Sequence, residues 1–393
     1  MAPSRLTSAL RSERTGALLL LGAALAGLIL ANSPLGSGLI ELQHTSVGIG
    51  NLQLSIGHWI SDGLLAIFFL VVAIDLRHEL TAGQLNSWQR ALHPAIAAVG
   101  GVIVPALVYL LIAGPAGQPG GWPIPTATDI AFALGVLAMF GRGLPPRIRV
   151  FLLALAVLDD LIAIVIIAIF FGGSTEFLPL AGAVIVLAIA VVVGRALTRA
   201  TSRETRLMLG ALLVVLGIAT WVLTQLSGVH ATLAGVAFGL VLPAGVGQPL
   251  VHRLEPWSAG LVLPIFAFSA TLVVIPAVPL GELSAPFWGI LAALPLGKLL
   301  GITLGGLLGA WLLSRGGAAR EGGMRVSEII AVGLLGGIGF TVSLLMTTLA
   351  FADDQALSDQ GILAVLLGSV LSVIAAAIML TVLRNRTRAA STN

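Results

Sequence analysis

Twelve apolar stretches of roughly 17–25 residues follow one another along the 393 residues, separated by short polar joints. Each is long enough to cross a bilayer as a helix, and a segment in hydrocarbon must satisfy its own backbone. The pattern therefore predicts an all-α polytopic membrane protein, one integral membrane domain over 1–393. The expected transmembrane segments are 15–31, 58–76, 92–112, 122–140, 150–171, 178–198, 205–222, 226–243, 257–276, 287–312, 327–350 and 361–383. Composition agrees: 58% of residues are hydrophobic and 9% are charged, against about 25% charged in soluble domains. No cysteine is present, so disulfides and thiolate metal sites are excluded. A net charge of +3 with no basic run gives no reason to expect a nucleic-acid partner. The first apolar run, preceded by Arg11 and Arg14, could be read as a cleaved signal; it is taken as a retained span because the charge pattern then closes.

With the N-terminus in the cytoplasm and strict alternation, all nineteen arginines fall on the inner side. They are Arg5, Arg11, Arg14, Arg77, Arg90, Arg142, Arg147, Arg149, Arg195, Arg199, Arg203, Arg206, Arg253, Arg315, Arg320, Arg325, Arg384, Arg386 and Arg388. Outer loops carry Glu41, Glu176, Glu282, Asp353, Asp354 and Asp359 instead. This bias supports twelve spans with both termini inside. One span more or fewer would scramble it.

Three segments depart from plain helix. In the first outer loop Val47, Ile49, Leu52, Leu54 and Ile56 alternate with polar or small residues around Gly50-Asn51, which predicts a periplasmic β-hairpin over 43–57. A lone hairpin is marginal, so it should pair with something, and a homodimer contact is the expected use; a flexible loop is the competing account. In the fourth span Pro123 and Pro125 precede Thr126-Ala127-Thr128-Asp129, and in the eleventh Gly333, Gly336, Gly337 and Gly339 crowd before Phe340-Thr341. Both spans are expected to be interrupted, a pattern that marks ion sites in transporters. Gly297, Gly301, Gly305 and Gly309 in the tenth span predict a face for close helix packing.

Lys298, the only lysine, lies inside that tenth span. Asp159 and Asp160 lie side by side in 150–171, where sixteen of twenty-two positions are Leu, Ile, Val or Phe. Two aspartates at a helix centre cost roughly 5–7 kcal/mol on insertion scales, so leucines would stabilise the span and the pair must serve something else. Neighbouring helix positions diverge by about 100°, so one acid can meet a partner on another helix while the other lines a cavity. Lys298 is the expected counter-charge to one of them. Asp129, after Thr128 in the interrupted span, can compensate the positive end of a half-helix. Thr128 and freed carbonyls can add oxygen ligands for a hard cation.

Desolvation favours the neutral forms of acids and amines, which brings proton exchange toward neutral pH. A cation arriving at two carboxylates displaces their protons. Alternating exposure of such a site turns competition into exchange. If more than one proton moves per cation, a negative-inside membrane drives cation export, at about 2.3 kcal/mol per charge per 100 mV. Asp62 and Asp75 sit near the ends of the second span, where solvated boundary residues are expected. Asp75 with Arg77, His78 and Glu79, facing the same side as His252 and Glu255, is also a candidate pH gate or entrance funnel. His93 and His230 are expected to be hydrogen-bonding residues.

The motifs Ala127-Thr128-Asp129-Ile130-Ala131-Phe132, Leu158-Asp159-Asp160-Leu161, Ser227-Gly228-Val229-His230-Ala231-Thr232, Leu263-Pro264-Ile265-Phe266-Ala267-Phe268, Gly297-Lys298 and Gly336-Gly337-Ile338-Gly339-Phe340-Thr341 carry a resemblance. The chain resembles bacterial sodium/proton antiporters of the NhaA family over nearly its whole length. That resemblance implies twelve helices, with the third to fifth inverted relative to the tenth to twelfth, and with the fourth and eleventh unwound and crossing at mid-membrane. It implies Asp160 and Asp159 as the cation and proton site, Lys298 paired with Asp159, and Thr128 and Asp129 at the crossing. It further implies electrogenic export of sodium or lithium, activation at alkaline pH, no cofactor, a bacterial inner-membrane location and dimers formed through an outer hairpin. Departures from the family pattern are Asp75 for a glutamate, Val251 where a pH-responsive acid is expected, Ser269-Ala270-Thr271-Leu272 for Ala-Asn-Ala-Gly, and Leu299 for a proline. An altered or weakened alkaline threshold is the corresponding expectation.

A proton-coupled solute symporter is the nearest alternative, but no aromatic or amide cluster accompanies the acids. Intramembrane aspartyl proteolysis by Asp129 and Asp160 would leave Lys298 unexplained. A channel would need no competing protonatable pair.

Overall fold

The computed structural model describes residues 13–49, 52–83, 85–86, 88–171, 176–275, 279–315 and 324–392. The Gly50-Asn51 turn and Arg5, Arg11 and Arg320 lie outside them. The described chain is helical apart from one two-stranded sheet. Helix α1 is Glu13–Ala31 and α2 is Gly36–His44. Strands β1 (Ser46–Ile49) and β2 (Leu52–Ser55) pair antiparallel, Ser46 opposite Ser55 and Ile49 opposite Leu52. The hairpin is thus shorter than 43–57: residues 43 and 44 close α2, and Ile56, expected in the second strand, opens the next helix. Trp59 Nε1 donates to the Val47 carbonyl across 2.9 Å, tying the hairpin to the helix that follows.

That helix, α3, runs Ile56–Thr81 and contains a π turn at Trp59–Leu64. Then come α4 (Trp88–Ala113), α5 (Ile130–Phe140), α6 (Pro146–Phe170), α7 (Phe177–Arg199), α8 (Arg203–Leu226) and α9 (Thr232–Val241). Helix α10 comprises Ala244–Trp257, a π turn Ser258–Val262 and Leu263–Ala270. Helix α11 comprises Ala285–Ala292, a π turn Ala293–Gly297 and Lys298–Arg315. The chain ends with α12 (Val326–Gly336), α13 (Phe340–Ala350) and α14 (Gln355–Thr392).

Among the described residues, eight helices are long and apolar enough to cross a membrane, or ten if each of two bent pairs is one span. Segments 226–243 and 257–276 are not among them. Helix α9 has 10 residues, about 15 Å at 1.5 Å per residue and half the hydrocarbon thickness. Helix α10 starts at Ala244, well before 257, and its first part carries the polar residues Gln248, His252, Arg253 and Glu255.

The bent pairs fall at the expected interruptions. Pro119–Thr126 and Ile130–Phe140 meet at 42°, and Val326–Gly336 and Phe340–Ala350 at 47°. Prolines remove backbone donors before α5. The Gly336-Gly337-Ile338-Gly339 run ends α12. A methyl on Gly301 would collide with the Gly100 carbonyl, and one on Gly297 would meet Pro105. Helices α4 and α11 therefore pack backbone to backbone, which fixes the height at which Lys298 stands.

Candidate functional site

Lys298 follows the π turn of α11 and points at α6. Its Nζ lies 2.6 Å from Asp159 Oδ2, with the two side chains 0% and 1% exposed. At that burial neither charge can rely on water, so each is held by the other. Asp159 Oδ1 is buried with no hydrogen-bond partner among the described residues. Asp160, one residue on, is 4% exposed, and the charges acting on it are those of Asp159, Asp129 and Lys298.

The two interruptions meet beside this pair. Asp129 N–H donates to the Ile338 carbonyl across 2.7 Å, and Thr128 Oγ1 donates to the Gly336 carbonyl across 2.8 Å. Thr128 is also within interaction range of Asp159. Asp129 caps α5 by accepting from Phe132 N–H at 2.9 Å on Oδ1. Its Oδ2 accepts from Thr341 Oγ1 at 2.6 Å and from Thr341 N–H at 3.2 Å. One carboxylate therefore serves the positive ends of two half-helices, where anions are favoured.

The structure thus gathers Asp159, Asp160, Asp129, Thr128 and Lys298 into one buried cluster. It also brings Glu79, His252 and Glu255 within electrostatic range of Asp75. Arg77 is used differently, donating to the carbonyl of Leu242 at the end of α9. His78 is exposed in the last turn of α3. Asp62, expected to be solvated, is buried at 7% exposure. Its π turn is covered by Trp221, which donates Nε1 to the Asp62 carbonyl at 2.8 Å and stacks on Trp59. His93 hydrogen-bonds the Gly306 carbonyl at 2.9 Å.

Sequence reasoning missed two features. Thr341 stands two residues after Gly339, the last glycine of the break, and that closeness was the signal available. Glu328, 4% exposed, takes Arg147 Nε and Nη2 at 2.9 and 2.6 Å while accepting Arg325 N–H, which joins the start of α12 to the start of α6. Its clue was a glutamate three residues after Arg325 at the start of the eleventh span, the spacing from which a carboxylate can reach back to the N-cap amide. A cavity of about 1350 Å³ lies elsewhere, with Trp59, Trp221, Arg206 and Arg253 in its wall. None of the five clustered residues lines it. Among the described residues no three His, Asp or Glu side chains converge as metal ligands.

Residues 7–380 match the family model described as Na+/H+ antiporter 1. The chain belongs to that family. It is 57% identical over 387 residues to the Na+/H+ antiporter NhaA 2 of Clavibacter michiganensis subsp. michiganensis, covering 98% of this chain and 94% of that protein. It is 42% identical over 381 residues to the Na+/H+ antiporter NhaA of Tropheryma whipplei, covering 96% of each. The solved sodium proton antiporter MjNhaP1 of Methanocaldococcus jannaschii shares the fold at TM-score 0.56 and 17% identity, covering 93% of this chain and 92% of that one.

Proposed function

We propose that this multi-pass membrane protein exports sodium or lithium in exchange for external protons, with Asp159 and Asp160 as the shared site. Membership of a sodium/proton antiporter family makes it a secondary transporter, not an enzyme, and sets aside the proteolytic alternative. The observation that carries the site assignment is the buried Lys298–Asp159 pair adjoining Asp160. Three ionisable groups in a dry interior are costly unless they are used. Sodium, the cargo, would take oxygen from Asp160, from Asp159 and from the Thr128 hydroxyl. Its arrival supplies the positive charge that protons, or Lys298, supply in its absence. Release of protons on one side and of the cation on the other requires the cluster to face each side in turn.

The arrangement we infer has twelve spans with both termini cytoplasmic in the bacterial inner membrane. Its third to fifth and tenth to twelfth helices form inverted repeats, whose interrupted members cross where Asp129 and Thr128 meet Ile338 and Gly336. Segments 226–243 and 257–276 supply the two spans beyond ten. The arginine bias supports this orientation. The hairpin would join two copies into a homodimer. The cycle is electrogenic in this reading. Asp75, Glu79, His252 and Glu255, with Arg77 and His78 on the same helix end, form the proposed pH gate or entrance funnel. Val251, where the family pattern expects an acid, is buried among Val71, Ile74 and Leu242. An apolar residue there cannot titrate, which favours an altered or weakened alkaline threshold.

The test is sodium-driven pH change in proteoliposomes across a pH series. Wild-type protein should release or take up protons on sodium addition, with a shallow alkaline rise, and Asp160→Asn should do neither. Unimpaired sodium-driven proton flux in Asp160→Asn would refute the site assignment. Proton flux without any counter-ion would indicate a channel.

A further inference from the structure

Asp129 lies on the strand-like step between two helical pieces, within electrostatic range of Asp160. Its position is set from one side by its own helix, through Phe132 N–H on Oδ1. Helix α13 has no side-chain cap of its own, because its N-cap is Gly339. The anion at that helix end is instead Asp129, reached through Thr341, whose side chain sits 2% exposed at the second position of α13. Phe340, just before it, has a positive φ of 21°, a conformation that costs energy for a bulky residue and persists only where surroundings enforce it. Its N–H is held by Ser369 Oγ at 3.2 Å, and its ring stacks on Phe132 at 5.3 Å. The backbone twist at Phe340 is therefore anchored on both sides, and it delivers the Thr341 hydroxyl and amide to one carboxylate oxygen.

We infer that Thr341 is a positioning residue for transport: its hydroxyl locks the Asp129 carboxylate in place and so couples the two interrupted helices beside the cation site. With Oδ1 engaged by Phe132 and Oδ2 doubly engaged by Thr341, Asp129 is a fixed carboxyl group and not a ligand that swings to the cargo. Thr341 therefore acts through Asp129, without touching the cation. This rests on the antiporter reading above and adds to it a residue that sets how fast the site turns over.

The experiment compares Thr341→Val, which keeps the shape and removes the donor, with Thr341→Ser, which keeps the donor and removes a methyl. Sodium-dependent proton flux is measured per folded molecule in proteoliposomes, over a range of sodium. Loss of a hydrogen bond to a charged group corresponds to roughly tenfold or more in an equilibrium. Thr341→Val should lower turnover by roughly that factor and leave the sodium KM within about twofold. Thr341→Ser should recover most of the turnover. A merely structural role would reduce the amount of folded protein and leave turnover per molecule unchanged, and that result overturns the inference. So does a raised sodium KM at unchanged turnover, which would make Thr341 a cation ligand. Should the valine variant not fold, the serine variant decides: turnover as low as one tenth of wild type would mean the methyl, not the hydroxyl, matters. Full transport by Asp160→Asn would instead defeat the underlying site reading, whatever Thr341 does.

Discussion

Lys298 is fully buried, and its amine meets one acid of the adjacent pair. A buried ion pair adds little net stability, because each partner lost its hydration, but removing one partner strands the other. Lys298→Ala should therefore destabilise the protein by about 3–5 kcal/mol, seen as a lower unfolding temperature in detergent. Adding Asp159→Asn to that variant should recover much of the loss, since a neutral amide no longer needs the cation. Equal melting of Lys298→Ala and wild type would mean that Asp159 finds another partner. Asp159 has a free side in this geometry: Oδ1 is buried and unmatched among the described residues. An unmatched carboxylate oxygen beside Asp160 is a position where a proton or a cation is favoured.

The decisive elements are the two interruptions and the helix pair that brackets them. Breaks in a membrane helix expose donors and acceptors that hydrocarbon cannot satisfy, so they survive only where protein groups answer them. Here each break answers the other, through Asp129 with Ile338 and Thr128 with Gly336. The Arg147–Glu328 bridge joins the helix bearing the acids to the first half of the second interrupted span. The close contact of α4 with α11 sets the height of Lys298 against α6. Gly301→Ala would push a methyl onto the Gly100 carbonyl. Overpacking of that kind costs about 1–3 kcal/mol, so this variant should melt earlier and carry a weakened Lys298–Asp159 contact. A melting curve unchanged from wild type would show that α4 and α11 separate without penalty.

For the whole molecule, the proposed electrogenic cycle would use the membrane as a source of voltage as well as a solvent. If more than one proton moves per sodium ion, the cycle carries charge and the potential does work on it, about 2.3 kcal/mol per charge per 100 mV. Imposing a negative-inside potassium diffusion potential on proteoliposomes should accelerate sodium efflux severalfold over vesicles clamped at zero potential. Identical rates would mean an electroneutral cycle. In the proposed arrangement the arginine bias supplies the orientation, and the apolar helices of the described residues account for eight to ten of the twelve spans.

Composition and patterning by themselves made this an all-helical membrane chain. They placed the hairpin, both interruptions and the small-residue face of α11, and they singled out Asp159, Asp160, Asp129 and Lys298. The reason is that a bilayer imposes a uniform environment, so a charge, a proline or a glycine cluster within an apolar run stands out without reference to anything distant. Thr341 and the Arg147–Glu328 bridge were not legible in that way. A threonine is ordinary in a membrane helix, and an arginine near a boundary reads as topology. Their roles arise from contacts across 212 and 181 residues of chain, and the lysine reaches its acid across 139. The extent of α9 and α10 and the burial of Asp62 under Trp221 were likewise decided by neighbours. Local patterning determines which groups are costly to bury, but only the packed structure decides which partner meets each cost, because that depends on where separate helices come together.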